Sequence, residues 1–231
     1  MTILLYDLVG ADAGRPFSPH CWKTAMALAH KGLDFQRVPT RFLDIPQVEG
    51  GISKTVPVIR DGDSKVIDSF TIALYLDQTY PDGPSLFGGP GGEAMARFIE
   101  RWSQLTLHPF IVKAVVLDIF AMQDESNKTW FRPNREARLG KPLEEVAACR
   151  DAGLSAFRAS LEPLCATLLY QPWIGGQSPL FADYIVFGAF QWARVTSAYR
   201  LLEEGDPVGE WFERCLGLYD GLGAATLAAA A

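Results

Sequence analysis

The sequence predicts an α/β domain over residues 1–80, a linker at 81–92, and an all-α domain over 93–231. Three observations point that way. Short apolar runs of strand type alternate with helical patterns as far as Tyr80 and vanish beyond it. Pro81 to Gly92 is rich in proline and glycine, the composition of a boundary that few contacts cross. From residue 93 onward the apolar residues recur at helical spacing. A chain of 231 residues with 48% hydrophobic and 21% charged residues has ample material for one large core or two modest ones.

Ile3-Leu4-Leu5-Tyr6 reads as a buried strand, followed by a polar loop from Gly10 to Phe17. Ser18 as N-cap and Pro19 at the first helical position open an alanine-rich helix that stops at Lys31-Gly32. Its Trp22, Met26 and Ala29 share one face at core spacing. Phe35 to Val38 is a second strand, and residues 40–53 are punctuated by Pro46, Gly50 and Gly51. Lys54-Thr55-Val56-Pro57-Val58-Ile59 then enters a third strand, Asp61-Gly62-Asp63 is a hairpin turn, and Lys65-Val66-Ile67 returns. Asp68-Ser69 starts a helix with Ile72, Leu76 and Tyr80 at four-residue spacing. A proline at a strand entrance donates no ladder hydrogen bond; with a cis bond, the residue before it turns its backbone outward toward an extended peptide. A helix N-terminus just downstream offers unpaired N–H groups to a carboxylate. A tight structural turn is the competing reading of the same segment.

Beyond the linker, residues 93–123 read as helical, with Phe98, Trp102 and Leu105 in register and a kink or break at Pro109. Ile111, Val112, Val115, Val116, Ile119 and Phe120 form a broad apolar stripe, part core and part candidate pocket wall. Residues 123–142 are polar, are interrupted by Pro133, Gly140 and Pro142, and read as a loop. A helical pattern with a kink at Pro163 covers 143–169. Phe181-Ala182-Asp183-Tyr184 opens a very apolar helix, and a last helix spans Asp206 to Leu222 before an alanine tail expected to fray.

The net charge of −6, without any basic run, argues against nucleic acid and against an anionic membrane as partners. Residues 1–9 lack the pattern of a signal peptide, and no apolar stretch reaches spanning length. Cys21, Cys149, Cys165 and Cys215 have no metal-like spacing and the histidines are scattered, so no metal site is expected. Reduced thiols and a cytoplasmic location are the expectation.

Strand, helix, strand, variable stretch, hairpin, helix is the thioredoxin-like order. With Ser18-Pro19 at the first helix, Val56-Pro57 at a cis-proline position, Asp68-Ser69 and an all-helical remainder, the chain resembles the soluble glutathione transferases over nearly its whole length. Leu5-Tyr6-Asp7-Leu8, Ser18-Pro19-x-x-Trp22-Lys23 and Phe181-Ala182-Asp183-Tyr184 look most like the fungal Ure2p-like/FuA transferases and the bacterial LigE-type β-etherases. The resemblance implies a thioredoxin-like glutathione-binding domain, a helical domain carrying a hydrophobic electrophile site, and a homodimer. Glutathione would be the co-substrate, without a metal.

Within that resemblance Ser18 would stabilise the glutathione thiolate, because a hydroxyl at a helix N-terminus supplies both a donor and a positive environment. A plain N-cap is the alternative role. Val56 would pair with the cysteinyl backbone across Pro57, Ser69 would hold the γ-glutamyl carboxylate, and Asp68 its ammonium. Asp68 is shorter than the family's usual Glu or Gln. Arg41 and Lys54 are the nearest cations for the glycyl carboxylate. Phe17, Trp102, Leu105, Phe110 and Trp130 are candidate pocket walls, each also explicable as core. Ser18-Pro19-His20-Cys21 resembles a redox Cys-x-x-Cys whose first cysteine is serine, which excludes dithiol chemistry and leaves Cys21 as a core residue. His20 has ligand contact and solvent exposure as its two readings. Leu180 stands where the family caps the Asp183 helix with Ser or Thr, so a reciprocal side-chain capping box cannot form.

The activity implied is attack of glutathione on a hydrophobic, aromatic electrophile, with β-aryl ether cleavage its most specific version. A non-catalytic protein that sequesters glutathione and aromatic ligands is the alternative. A regulatory role of the Ure2p kind is disfavoured, since Ser18 is retained and no low-complexity extension precedes Met1.

Overall fold

The computed structural model describes residues 2–230. Its first part contains β1 (Ile3–Leu8), α1 (Pro19–His30), β2 (Phe35–Thr40), a 3₁₀ segment at Ile45–Gly50, β3 (Val58–Asp61), β4 (Ser64–Ile67) and α2 (Ser69–Thr79). The sheet order is β2-β1-β3-β4, parallel between β1 and β2 and antiparallel elsewhere. Leu5 lies opposite both Arg37 and Ile59, which places β1 at the centre. Ile3, Leu5, Val58 and Ile59 are buried. Gly62, at φ 58°, turns the β3–β4 hairpin in the left-handed region that favours glycine.

The second part is all helical: α3 (Pro90–Thr106), α4 (His108–Ala121), α5 (Glu125–Leu139), α6 (Leu143–Ala148), α7 (Arg150–Ala159), α8 (Glu162–Tyr170), α9 (Phe181–Thr196), α10 (Pro207–Leu216) and the single turn α11 (Leu218–Gly221). Several expected boundaries shift. α3 starts at Pro90, inside the stretch read as linker. The segment read as one helix around Pro109 is two, α3 and α4, meeting at Leu107 with a bend of 53°. Pro109 sits in the first turn of α4, where an absent N–H leaves no bond unmade. Pro163 likewise opens α8 and does not kink a longer helix.

The larger correction is α5, which occupies most of the stretch read as a loop. Asp124 caps it, its carboxylate accepting from Asn127 N at 2.9 Å, and Gly140 ends it at φ 73°. Pro133 inside the helix removes the donor for the Thr129 carbonyl, but both residues are exposed, so water can take that place. Phe131 is buried against Phe42, with ring centroids 5.4 Å apart, and Asn127 Oδ1 accepts from Leu43 N at 3.1 Å. α5 is thereby docked on the loop after β2.

α9 is the central beam. Every residue from Phe181 to Thr196 is buried except Arg194. It packs along α1, with Phe187 edge-on to Trp22 at 6.0 Å, and Gly188 lies against the Pro19 carbonyl. Phe181 meets Phe70 of α2 at 5.4 Å, and Lys23 of α1 bonds Glu100 of α3 at 2.9 Å, so the two parts share one interior. Leu180 has no side-chain acceptor, as its sequence dictates, yet the start of α9 is well satisfied. The Asp183 carboxylate accepts from Leu180 N, Gly175 N and Trp211 Nε1 at 2.9 Å each and from Ile174 N at 2.8 Å. Burial pushes this carboxyl up and the four donors pull it back toward the ionised form. The tail expected to fray is tied down: Ala229 N donates to Arg194 O at 2.9 Å, and Arg194 Nη1 donates to Thr226 O at 2.8 Å.

Candidate active site

A cleft of about 660 Å³ runs between the end of the sheet and helices α3, α4 and α5. Ser18 enters it from the start of α1. Its backbone is extended (φ −64°, ψ 126°) and its Oγ accepts from Cys21 N at 3.3 Å, an N-cap bond. That bond uses one lone pair. Among the described residues the hydroxyl proton meets no acceptor, so it remains available to a ligand at the positive end of α1. Cys21 lies nearly one turn deeper and is fully buried, with Sγ 3.8 Å from the Tyr6 carbonyl. Burial, with the neighbouring Asp7 adding to it, pushes the Cys21 thiol well up, which keeps it protonated and unreactive.

The Val56–Pro57 bond is cis. Val58, two residues on, pairs with Tyr6 of β1 and Ile67 of β4. Val56 itself stands outside the ladder, and among the described residues its N–H and C=O have no partner. Asp68 is the N-cap of α2, at φ 69° and ψ 129°, a backbone region that costs a non-glycine residue on the order of 1–3 kcal/mol. Its Oδ1 accepts from Phe70 N at 3.1 Å and Thr71 N at 2.9 Å, while Oδ2 takes no bond among the described residues. Ser69 follows in the first turn, buried, with a hydroxyl also unbonded among the described residues. Ser18, Val56, Pro57, Asp68 and Ser69 all line this one cleft.

The two candidate cations separate. Lys54 lines the cleft. Arg41 does not: it is half exposed and turned outward to Asp44 at 3.3 Å and Asp124 at 3.1 Å.

The apolar candidates separate as well. Phe17 and Trp130 line the cleft, joined by Phe42, whose ring stacks on Trp130 at 5.4 Å. Trp102, Leu105 and Phe110 do not. Leu105 is 65% exposed, Trp102 packs against the core, and Phe110 stacks on Phe157 at 4.4 Å. Glu100, Gln104, His108, Val112 and Val116 take the wall instead. These residues recur every four positions across the α3–α4 bend. That signal is in the sequence, but its polar members hide it from a search for apolar stripes.

His20 of α1 meets His108 of this wall with ring centroids 5.3 Å apart and planes tilted by 38°, and Lys23 Nζ lies 3.1 Å from His20 Nδ1 and 2.9 Å from both Glu100 oxygens. Burial, reinforced by the Lys23 charge, pushes His20 well below its ordinary range and His108 down to about 3. Both imidazoles are therefore neutral at pH 7. His108 Nε2 is buried and unpartnered among the described residues. Asn134, Arg135 and Arg138 of α5 complete the lining, and reading that helix as a loop hid all three. Among the described residues, no group of three or more His, Cys, Asp and Glu side chains comes together as a metal site would require.

Residues 13–85 match the model of the glutathione S-transferase N-terminal domain, and residues 94–217 that of the C-terminal domain. The chain is 25% identical over 210 residues to the glutathione S-transferase-like protein ustS of Aspergillus flavus, covering 78% of this chain and 75% of that protein. Its fold is similar to the crystal structure of glutathione transferase GSTFuA3 from Phanerochaete chrysosporium. The TM-score is 0.79 at 26% identity, over 100% of this chain and 99% of the other. The fold also matches that of CsGST63524 of Ceriporiopsis subvermispora, solved in complex with glutathione, with TM-score 0.83 at 24% identity and both chains fully covered.

Proposed function

Because the chain belongs to the glutathione S-transferase family, we propose that its cleft binds glutathione and activates the thiol for attack on an aromatic electrophile. The observation that carries this is the Val56 backbone, unbonded among the described residues, in one cleft with the hydroxyls of Ser18 and Ser69, neither of which has an acceptor among those residues. An extended cysteinyl unit paired with Val56 would bring its sulfur to Ser18 and its γ-glutamyl carboxylate to Ser69 and the N-terminus of α2. Oδ2 of Asp68 would take the ammonium, and Lys54 the glycyl carboxylate.

The thiolate is the nucleophile, and stabilising it relative to the thiol by one pKa unit takes about 1.4 kcal/mol. The Ser18 hydroxyl and the N-terminus of α1 act in that direction. The neutral His20 and His108 add no positive charge, and burial, which pushes His20 well down and His108 to about 3, makes both poor acceptors for the thiol proton, so in this reading that proton leaves to solvent. The sulfur lone pair forms the new S–C bond, and the leaving group departs with the electrons of the bond it gives up. In β-aryl ether cleavage, the most specific form of this proposal, the C–O bond breaks and the phenolate takes a proton from water. A homodimer is part of the same reading and would cover Met95 and Phe98 of α3, which are 56% and 61% exposed.

The test is retention on immobilised glutathione with release by free glutathione, followed by calorimetry on Ser69→Ala. Losing a hydrogen bond to a charged carboxylate costs roughly 1.5–3 kcal/mol, about a 10- to 150-fold weaker Kd. Equal affinities would remove Ser69 from the site. Tight binding without turnover of a model aryl halide would favour the sequestering role.

A further inference from the structure

The protein carries a net charge of −6, yet the cleft holds three cations, Lys54, Arg135 and Arg138, that form no ion pair among the described residues. Glu100 of α3 and the acidic groups of α5 and its cap are already engaged. Glu136 pairs with Arg132 at 3.0 Å on another face of α5, and Glu125 pairs with Lys128 at 2.9 Å. Asp124 holds Arg41, and Glu100 accepts from Lys23 and Gln104. Arg135 is the most telling of the three. Its guanidinium lies across the rings of Phe131, Phe42 and Trp130, at 4.7, 5.1 and 5.7 Å from their centroids. Its one polar partner among the described residues is the Asn134 side-chain oxygen. Burial, with Arg138 close by, lowers its pKa to about 10, so it stays charged at neutral pH. A half-buried guanidinium among aromatic rings with no counter-ion is an arrangement that an incoming anion completes.

Glutathione alone does not use all of this charge. Its γ-glutamyl end falls to Ser69 and Asp68. One cation suffices for its glycyl carboxylate, and Lys54 stands two residues before Val56 on the same loop. Arg135 and Arg138 belong to α5, one turn apart, beside the Phe42–Trp130 stack. We propose that the second substrate is an aromatic acid, with its ring against Phe17, Phe42 and Trp130 and its carboxylate held by Arg135 and Arg138. A planar guanidinium suits this role because it meets a carboxylate through two parallel hydrogen bonds. The inference rests on the glutathione reading in one respect only, the assignment of Lys54 to the tripeptide.

The test uses the full chain and a matched pair of ligands, 2-naphthoate and the neutral 2-acetonaphthone, titrated calorimetrically without glutathione. Glutathione and its glycyl monoethyl ester are titrated separately. In wild type, naphthoate is expected to bind at least tenfold more tightly than acetonaphthone. The double variant R135Q/R138Q is expected to abolish that preference and to leave the glutathione Kd within about threefold. Because Arg135 packs on three rings, the single variant Arg138→Gln, at an exposed residue, is the control for folding. It is expected to lose about threefold in naphthoate binding and none in acetonaphthone binding. Equal binding of acid and ketone by wild type would overturn the proposal. So would a tenfold loss of glutathione affinity in the double variant that disappears with the monoethyl ester, since the arginines would then hold the glycyl carboxylate. A wild-type protein that prefers naphthoate through these arginines but binds no glutathione would instead overturn the glutathione reading and leave the acid subsite standing.

Discussion

Gly188→Ala tests whether α9 sets the position of Ser18, the serine proposed to activate the sulfur. An alanine Cβ at this position would fall 2.3 Å from the Pro19 carbonyl oxygen and 3.2 Å from its carbon. An ordinary carbon–oxygen contact is about 3.3 Å or longer, so α1 and α9 would have to separate by about 1 Å. The obstacle is backbone, which cannot swing aside, and the Phe187–Trp22 contact next to it resists sliding. In an exposed helix the same change would gain about 1 kcal/mol. Overpacking a buried contact costs about 1–3 kcal/mol, and occasionally more, so a net loss of about 2 kcal/mol is expected. Gly209 in α10 is the control: a Cβ there meets nothing closer than 3.8 Å, and Gly209→Ala is expected to be neutral or stabilising by up to about 1 kcal/mol. Urea unfolding reads the stabilities, and turnover per folded molecule reads the site. Pro19 follows Ser18 directly, and a 1 Å misplacement can cost about 100-fold in rate. A Gly188→Ala protein as stable and as active as wild type would refute the coupling of α9 to the site.

Two further outcomes follow from buried polar groups. Asp183→Asn leaves two of the four N–H donors facing an amide NH₂ in either orientation, at about 1–3 kcal/mol for each unsatisfied donor. A loss below 1 kcal/mol on urea unfolding would contradict the role given to this carboxylate. His108 has a folded pKa of about 3, below its unfolded value near 6.5, so the unfolded chain binds the extra proton. Its contribution is complete above pH 6.5 and is lost as the pH falls toward 3. Between pH 7.5 and 5.5 wild type should therefore lose about 1.4 kcal/mol more than His108→Asn. Equal losses would show that His108 protonates freely in the fold.

The first part of the chain was legible because its signals are local. Ser18-Pro19 marks a helix start by capping chemistry, Asp61-Gly62-Asp63 marks a hairpin by its left-handed glycine, and Val56-Pro57 marks the edge where the ladder begins. α5 was not legible, because Pro133, Gly140 and a run of charged residues are also what a loop contains. What holds this helix is tertiary: Phe131 buried on Phe42, and Arg132 reaching Glu144 of α6. Asp124 before it and Gly140 after it were the available start and stop signals. Three of the five candidate pocket walls, Trp102, Leu105 and Phe110, lie off the cleft for a related reason. Periodicity places Trp102 and Leu105 on a common face, but tertiary packing turns the neighbouring line through Gln104, His108 and Val112 toward the cleft. Arg41 and Lys54 were equivalent in sequence, and only the positions of Asp44 and Asp124 distinguish them.

The central claim is that Ser18 stabilises the thiolate of bound glutathione. The direct measurement is the ultraviolet absorbance of that thiolate, titrated against pH in wild type and Ser18→Ala. One lost hydrogen bond to a charged sulfur, about 1.5–3 kcal/mol, corresponds to a rise of roughly one to two units in the bound thiol's pKa. Glutathione affinity measured on the thiol form should stay nearly constant, and melting curves would account for a capping loss of about 1 kcal/mol. A thiol pKa that is the same in both proteins, with turnover unchanged, would leave Ser18 as a helix cap and contradict the claim.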